Sequence, residues 1–159
     1  MTRPNGNQAA ADASIDPDAL RRVEDVIEQL RWTYIREWAP AAMQELETAS
    51  RNFRRAAAAG DAETAAASRA VILRVTHDMK GQAGTFGLDL LQDFAASLHH
   101  FAEPDSEAPD RQAELCAAHV SAMRSALADV SAQPEGMISD GLERELREGL
   151  RKLARLRFN

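Results

Sequence analysis

The chain of 159 residues has one cysteine, one tyrosine and two lysines. Each scarcity excludes something. A lone Cys116 rules out an intrachain disulfide framework, and with no leader pattern at the start the expected location is the cytoplasm. No apolar run approaches the roughly 18 residues that span a bilayer, so membrane insertion is not expected. Six prolines and eight glycines interrupt the backbone little, and the alanine-rich remainder favours helix. No Gly-x-x-x-x-Gly-Lys-Ser/Thr loop and no kinase-type glycine loop or aspartate set is present, so neither kind of nucleotide site is offered. The net charge of −6 argues against nucleic acid as the main partner.

The length fits one domain with a core of its own. Residues 1–15 lack an apolar period and are expected to be a disordered tail, with a helical domain over 16–159 and its core bundle at about 40–131. Asp16-Pro17 is a helix start, because Asp caps and Pro fits the first turn. Leu20, Val23, Ile27, Leu30, Tyr34 and Trp38 then recur at helical spacing, until Pro40 is expected to end or kink the helix near Trp38. A second helix should run from about 40 to 59 with Met43, Leu46, Ala49, Phe53 and Ala57 on its stripe. Gly60 stops it and Asp61 caps the third, at roughly 62 to 84. A fourth follows to about 102, apolar at Leu88, Leu91, Ala95, Leu98 and Phe101. A fifth, about 107 to 131, is expected to turn Leu115, Ala118, Ala122, Ala126 and Val130 inward, and a sixth, about 138 to 157, carries Leu142, Leu146, Leu150 and Leu153. Short loops between such helices imply antiparallel neighbours. The expected fold is all-α, an up-and-down four-helix bundle with additional N- and C-terminal helices.

The densest chemistry lies at His77-Asp78-Met79-Lys80-Gly81-Gln82-Ala83-Gly84-Thr85-Phe86-Gly87. With Val75 as the zero of the third helix, Val71, Ile72, Ser68, Met79, Gln82 and Ala83 fall within about 80° and should face the bundle. His77 lies about 200° away, with Leu73, Lys80, Gly81 and Gly84 beside it and Ala66 and Ala70 further up the face. Two helical glycines cost roughly 1 kcal/mol each relative to alanine. Gly81, one turn beyond His77, leaves an approaching surface unobstructed. Gly84 is either part of that face or simply a helix end. Leu73 offers a docking partner an apolar contact. An unobstructed neutral imidazole with an ammonium at i+3 suits phosphoryl transfer, the donor being another protein or chain.

His-x-Met-Lys-Gly-x-Ala-x-x-Phe-Gly at 77–87 resembles the signature of the histidine-containing phosphotransfer (HPt) domain, and its wording is especially similar to the amino-terminal phosphotransfer domain of chemotaxis histidine kinases. The resemblance implies that His77 is phosphorylated, that Lys80 assists with the phosphoryl group, and that Gly81 leaves room for the partner; Ala70, Leu73 and Gly84, on the same face, are expected to join Gly81 in partner binding. It further implies a polar residue, often Gln or Glu, on the next helix to hold the imidazole. Counting places His99 there, either as an unusual orienting partner or as a boundary residue. The implied role is a phosphocarrier, not a stand-alone enzyme, passing phosphoryl groups between a histidine kinase or its receiver and a response-regulator receiver domain. No cofactor is expected, the Mg²⁺ belonging to the receiver, and a monomer is expected. A non-catalytic binding module that sequesters a kinase or receiver stays open, as does an excised domain of a larger kinase.

His119 falls within the fifth helix's stripe and is expected to be a core histidine with one hydrogen bond. One cysteine and scattered histidines do not make a zinc pattern. Arg144, Arg147, Arg151 and Arg155 share one outward face of the sixth helix, as a solvated face or a docking surface, with Glu148 able to pair with Arg144, Arg151 or Lys152. Trp32, Tyr34 and Trp38 are expected to pack the first helix.

Overall fold

The structure, a computed structural model, describes residues 16–104 and 108–156. The expected tail at 1–15 and part of the loop that begins at Glu103 lie outside the described residues. Six α-helices are described: α1 (Pro17–Thr33), α2 (Ala39–Ala59), α3 (Ala62–Thr85), α4 (Asp89–Ala102), α5 (Pro109–Ala132) and α6 (Asp140–Leu156), with a π-helical turn at Tyr34–Trp38 between α1 and α2. Among the described residues there is no strand.

Local chemistry sets the boundaries. The Asp16 carboxylate accepts from the Asp18 amide at 3.0 Å, with Pro17 in the first turn. Gly60 adopts φ 69° at the end of α2, and Asp61 then accepts from the Thr64 amide at 3.0 Å. Thr64 stands where a capping box would carry Glu, and the cap forms through its backbone N–H alone. The α-helical pattern gives way near Trp38, as expected, to the π-turn just ahead of Pro40. The Ala39 N–H reaches back five residues to the Tyr34 carbonyl, and α2 opens with Pro40 in its first turn. Proline has no N–H for the carbonyl four residues back, and a wider turn just before it accommodates the mismatch.

Helices α2 to α5 form a four-helix ring in which α2 packs on α3 and α5, and α4 on α3 and α5. Leu46, Phe53, Ile72, Met79, Phe94, Leu98 and Met123 fill its centre, and Tyr34 and Ile35 of the π-turn close one end. The Tyr34 ring stacks on Phe86 at 5.4 Å, and its hydroxyl is buried with no hydrogen-bond partner among the described residues. Burial alone pushes that phenol up to about 12. Arg31 ties this end together. Its guanidinium donates to the carbonyls of Phe86 (3.1 Å), Glu135 (3.3 Å) and Gly136. Gly136 sits at φ 59°, and a β-carbon there would lie 2.7 Å from Arg31 Nη1.

Three expected faces differ from those observed. The stripe of α1 does not pack: Leu20, Val23, Ile27 and Leu30 are 44% to 53% exposed, because α1 extends beyond the bundle and touches mainly the π-turn. Of its aromatic residues Tyr34 is buried and Trp32 partly so, but Trp38 faces solvent. On α5 the expected Ala126 and Val130 are buried and Leu115 and Ala122 half-buried, but Ala118 is exposed, and the rest of the inward seam runs through Ala113, Cys116, Val120, Met123 and Leu127. Alanines occupy every face of that helix, so the larger side chains decide its rotation. On α6, Leu146, Leu150 and Leu153 are half-buried against the bundle, as is Leu142 on the same stripe. Arg147 leaves the expected outward row, bonding Asp93 of α4 at 3.3 Å and Glu143 at 2.7 Å. Glu148 pairs with Lys152 at 2.8 Å.

Candidate functional site

The buried seam of α3 passes through Ala65, Ser68, Ile72, Val75, Thr76, Met79 and Ala83. Its centre lies on the Thr76 side of Val75, since α4 packs there. This rotation buries Thr76 completely and leaves Gln82 exposed instead of inward. His77 stands opposite the seam, exposed, and forms no hydrogen bond with any described residue. Its imidazole is therefore available to solvent and to a partner. Exposed Ala66 and Ala70 flank it up the helix, and Gly81 lies one turn down. A β-carbon on Gly81 would meet nothing within 4 Å, so no packing requires glycine there.

The other predicted neighbours divide. Lys80 and Leu73 are both half-buried on the flank, Leu73 resting partly against the core where a fully exposed contact was expected. Gly84 turns toward α4: a β-carbon would come within 2.6 Å of Gln92 Nε2 and 2.9 Å of its Cδ. That contact is with the tip of a flexible side chain, and Gly84, half-buried, also borders the His77 face. The helix ends just beyond it, at Thr85.

His99 comes from α4 to the edge of this face. Its ring centroid lies 6.2 Å from that of His77, with the planes inclined at 47°. Its Nδ1 lies 3.0 Å from the Leu73 carbonyl and 3.1 Å from Thr76 Oγ1. Thr76 donates its own hydrogen to the Ile72 carbonyl at 2.7 Å, so it receives from His99. A carbonyl only accepts, hence Nδ1 carries the hydrogen and Nε2 of neutral His99 keeps a free lone pair. No described residue occupies that Nε2. Sequence reasoning located His99 but missed Thr76, whose signal was a β-branched polar residue next to His77 and one residue round from the apolar seam. His100 is exposed and bonds Glu103 at 3.1 Å.

His119 is a separate matter. It is fully buried, with Nδ1 donating to the Leu115 carbonyl at 2.7 Å and Nε2 accepting from Ser97 at 2.8 Å. It thus has two hydrogen bonds instead of the single one expected. Desolvation by burial holds its pKa below the ordinary imidazole value, partly offset by the Leu115 carbonyl. Burial likewise pushes the Cys116 thiol up to about 12. Both belong to the core, away from His77. Among the described residues no cluster of three or more His, Cys, Asp or Glu side chains is arranged to hold a metal, and no helix is long and apolar enough to cross a membrane.

The site is thus a helical ring that presents on α3 an exposed histidine with no hydrogen bond to any described residue. The family model of the Hpt domain matches residues 32–133, and the chain belongs to that family. The match begins at Trp32 and ends at Gln133, so it takes in the π-turn and α2 to α5 and leaves out nearly all of α1 and the whole of α6. No curated protein and no solved structure matches the chain. Members of the family are histidine phosphotransfer modules of phosphorelays, phosphocarriers and not ATP-binding catalysts.

Proposed function

We propose that this protein carries a phosphoryl group on His77 between a histidine kinase or its receiver and the aspartate of a response-regulator receiver domain, in the cytoplasm and as a monomer. The observation that carries the reading is His77 itself: an exposed imidazole without a hydrogen bond to any described residue, on the face that Gly81 leaves open. A nucleophile that must meet a protein-sized donor needs both properties. In the accepting step a ring nitrogen of His77 attacks the phosphorus of the receiver's aspartyl phosphate. The P–N bond forms as the acyl P–O bond breaks, and the aspartate leaves with the electron pair. The return step reverses these changes. Lys80, half-buried one turn from His77 on the flank, supplies positive charge to the phosphoryl oxygens. His99 orients His77. Ala70, Leu73, Gly81 and the exposed edge of Gly84 form the ground on which a receiver settles. No cofactor is needed in this chain, the receiver bringing its Mg²⁺.

Incubation with phosphorylated receivers, reading acid-labile phosphate at His77, tests the proposal. His77→Gln should abolish uptake while leaving stability within about 0.5 kcal/mol, as for a surface change that removes no contact. Uptake retained by that variant would place the phosphoryl group elsewhere and overturn the assignment.

A further inference from the structure

We propose that His99 is the proton partner of His77, taking a proton from it as the phosphoryl group arrives and returning it as the group leaves. The inference rests on His77 being the carrier. It starts from the anchoring of His99. With Nδ1–H committed to Leu73 and Thr76, the neutral ring has one basic atom left, Nε2, and no described residue uses it. The two rings stand 6.2 Å apart between centroids. At that separation a bridging water, or a rotamer change of the exposed His77 on the ps to ns scale, would carry the proton from one ring to the other. The buried Thr76 and the backbone hold His99 still while His77 moves.

The chemistry gives this juxtaposition a use. A neutral imidazole that attacks phosphorus through one nitrogen still bears a proton on the other, so the new ring is a cation. Passing that proton to His99 Nε2 leaves a neutral phosphoryl-imidazole beside an imidazolium. For transfer onward the proton goes back. The P–N bond then breaks from a cationic ring, whose electron pair returns to its own nitrogen, while the receiver carboxylate forms the new P–O bond. A Gln or Glu in place of His99 supplies an acceptor, but the Gln amide cannot take the proton at all, and an ordinary carboxylate is too acidic to hold it near neutral pH. The histidine makes the site proton-linked.

The other ionisable groups near α4 do not take this part. On α3 the same side presents Lys80, which is a donor only, and Arg74, which pairs with Glu45 of α2. On α4 itself His100 bonds Glu103. His119 of α5 is committed to Ser97 and Leu115, and Arg147 of α6 to Asp93 and Glu143.

Phosphoramidate, a small phosphoryl donor, tests the idea without a receiver. Its uptake at His77 is followed at neutral pH. His99→Gln keeps an acceptor but takes no proton; it should lose up to about tenfold in rate. His99→Leu should lose about a hundredfold at neutral pH, the lower end of what a positioned proton-transfer group contributes. Nitrogen-15 NMR should show His99 as the Nδ1–H form before phosphorylation and doubly protonated after it. Unchanged helicity and melting in both variants separate this role from a structural one. Equal rates in His99→Leu and wild type, or a His99 that stays singly protonated once His77 carries the phosphoryl group, overturn the proton role and leave His77 as carrier. No phosphate at His77 in the wild-type protein overturns both.

Discussion

Replacing Gly81 by alanine should make the protein more stable and a poorer partner at once. Gly81 lies in the last turns of α3, exposed, at a backbone conformation that alanine shares, and a β-carbon there meets nothing within 4 Å. The folded state therefore gains no clash, and the unfolded chain loses conformational freedom. The helix-interior difference of about 0.8–1 kcal/mol is reduced near a helix end, so a gain of about 0.5 kcal/mol is expected. For a chain of this size that raises the melting temperature by about 1–2 °C. Thr85 Oγ1 bonds the Gly81 carbonyl at 2.9 Å, and the substitution leaves that bond alone. Gly81→Gln keeps the helix but plants a side chain one turn from His77. Phosphoryl exchange with a receiver should slow about tenfold for Gln, less for Ala, while uptake from phosphoramidate stays unchanged because a small donor needs no flat approach. Thermal melts and rapid-quench transfer with both donors check this. A lower melting temperature for Gly81→Ala would mean that the site is not open. Receiver exchange at the wild-type rate in Gly81→Gln would refute the docking argument.

Three further outcomes follow from the core. His119 is held neutral by burial, so the unfolded chain binds a proton near the ordinary imidazole value while the folded chain does not. Stability should therefore fall as pH drops below about 6.5, by at most about 1.4 kcal/mol per pH unit for this group, and urea midpoints of His119→Leu should lack that component. Arg31→Ala removes three guanidinium–carbonyl contacts that join α1 to two loops; a loss of about 2 kcal/mol is expected by denaturant titration. Cys116, buried with its thiol at about 12, should react with a disulfide reagent in denaturant and not in buffer.

How much was legible depended on what each residue could decide alone. Asp16-Pro17, Gly60-Asp61 and the apolar periods of α2 and α4 are local signals, and the structure reproduces them because a cap or a left-handed glycine needs no distant neighbour. Rotation was harder to read in α3 and α5. On α3, choosing Val75 as the centre missed Thr76 and misplaced Gln82; on α5, alanines on every side concealed part of the seam. An apolar stripe states that a face wants cover, not that cover exists. α1 has the stripe and lacks the neighbour.

The same division runs through the site. Sequence by itself determined that the bundle would be helical, that His77 would point away from it with Gly81 beside it, and that no nucleotide loop accompanies them, since each follows from residue type and a 3.6-residue repeat. Only the tertiary structure decided what surrounds His77. The packing of α4 on α3 buried Thr76, pressed Gln92 toward Gly84, half-covered Leu73, and fixed the His99 tautomer through a carbonyl on the neighbouring helix. Those facts depend on where two helices meet, and a periodicity specifies the face of each helix without specifying the register between them.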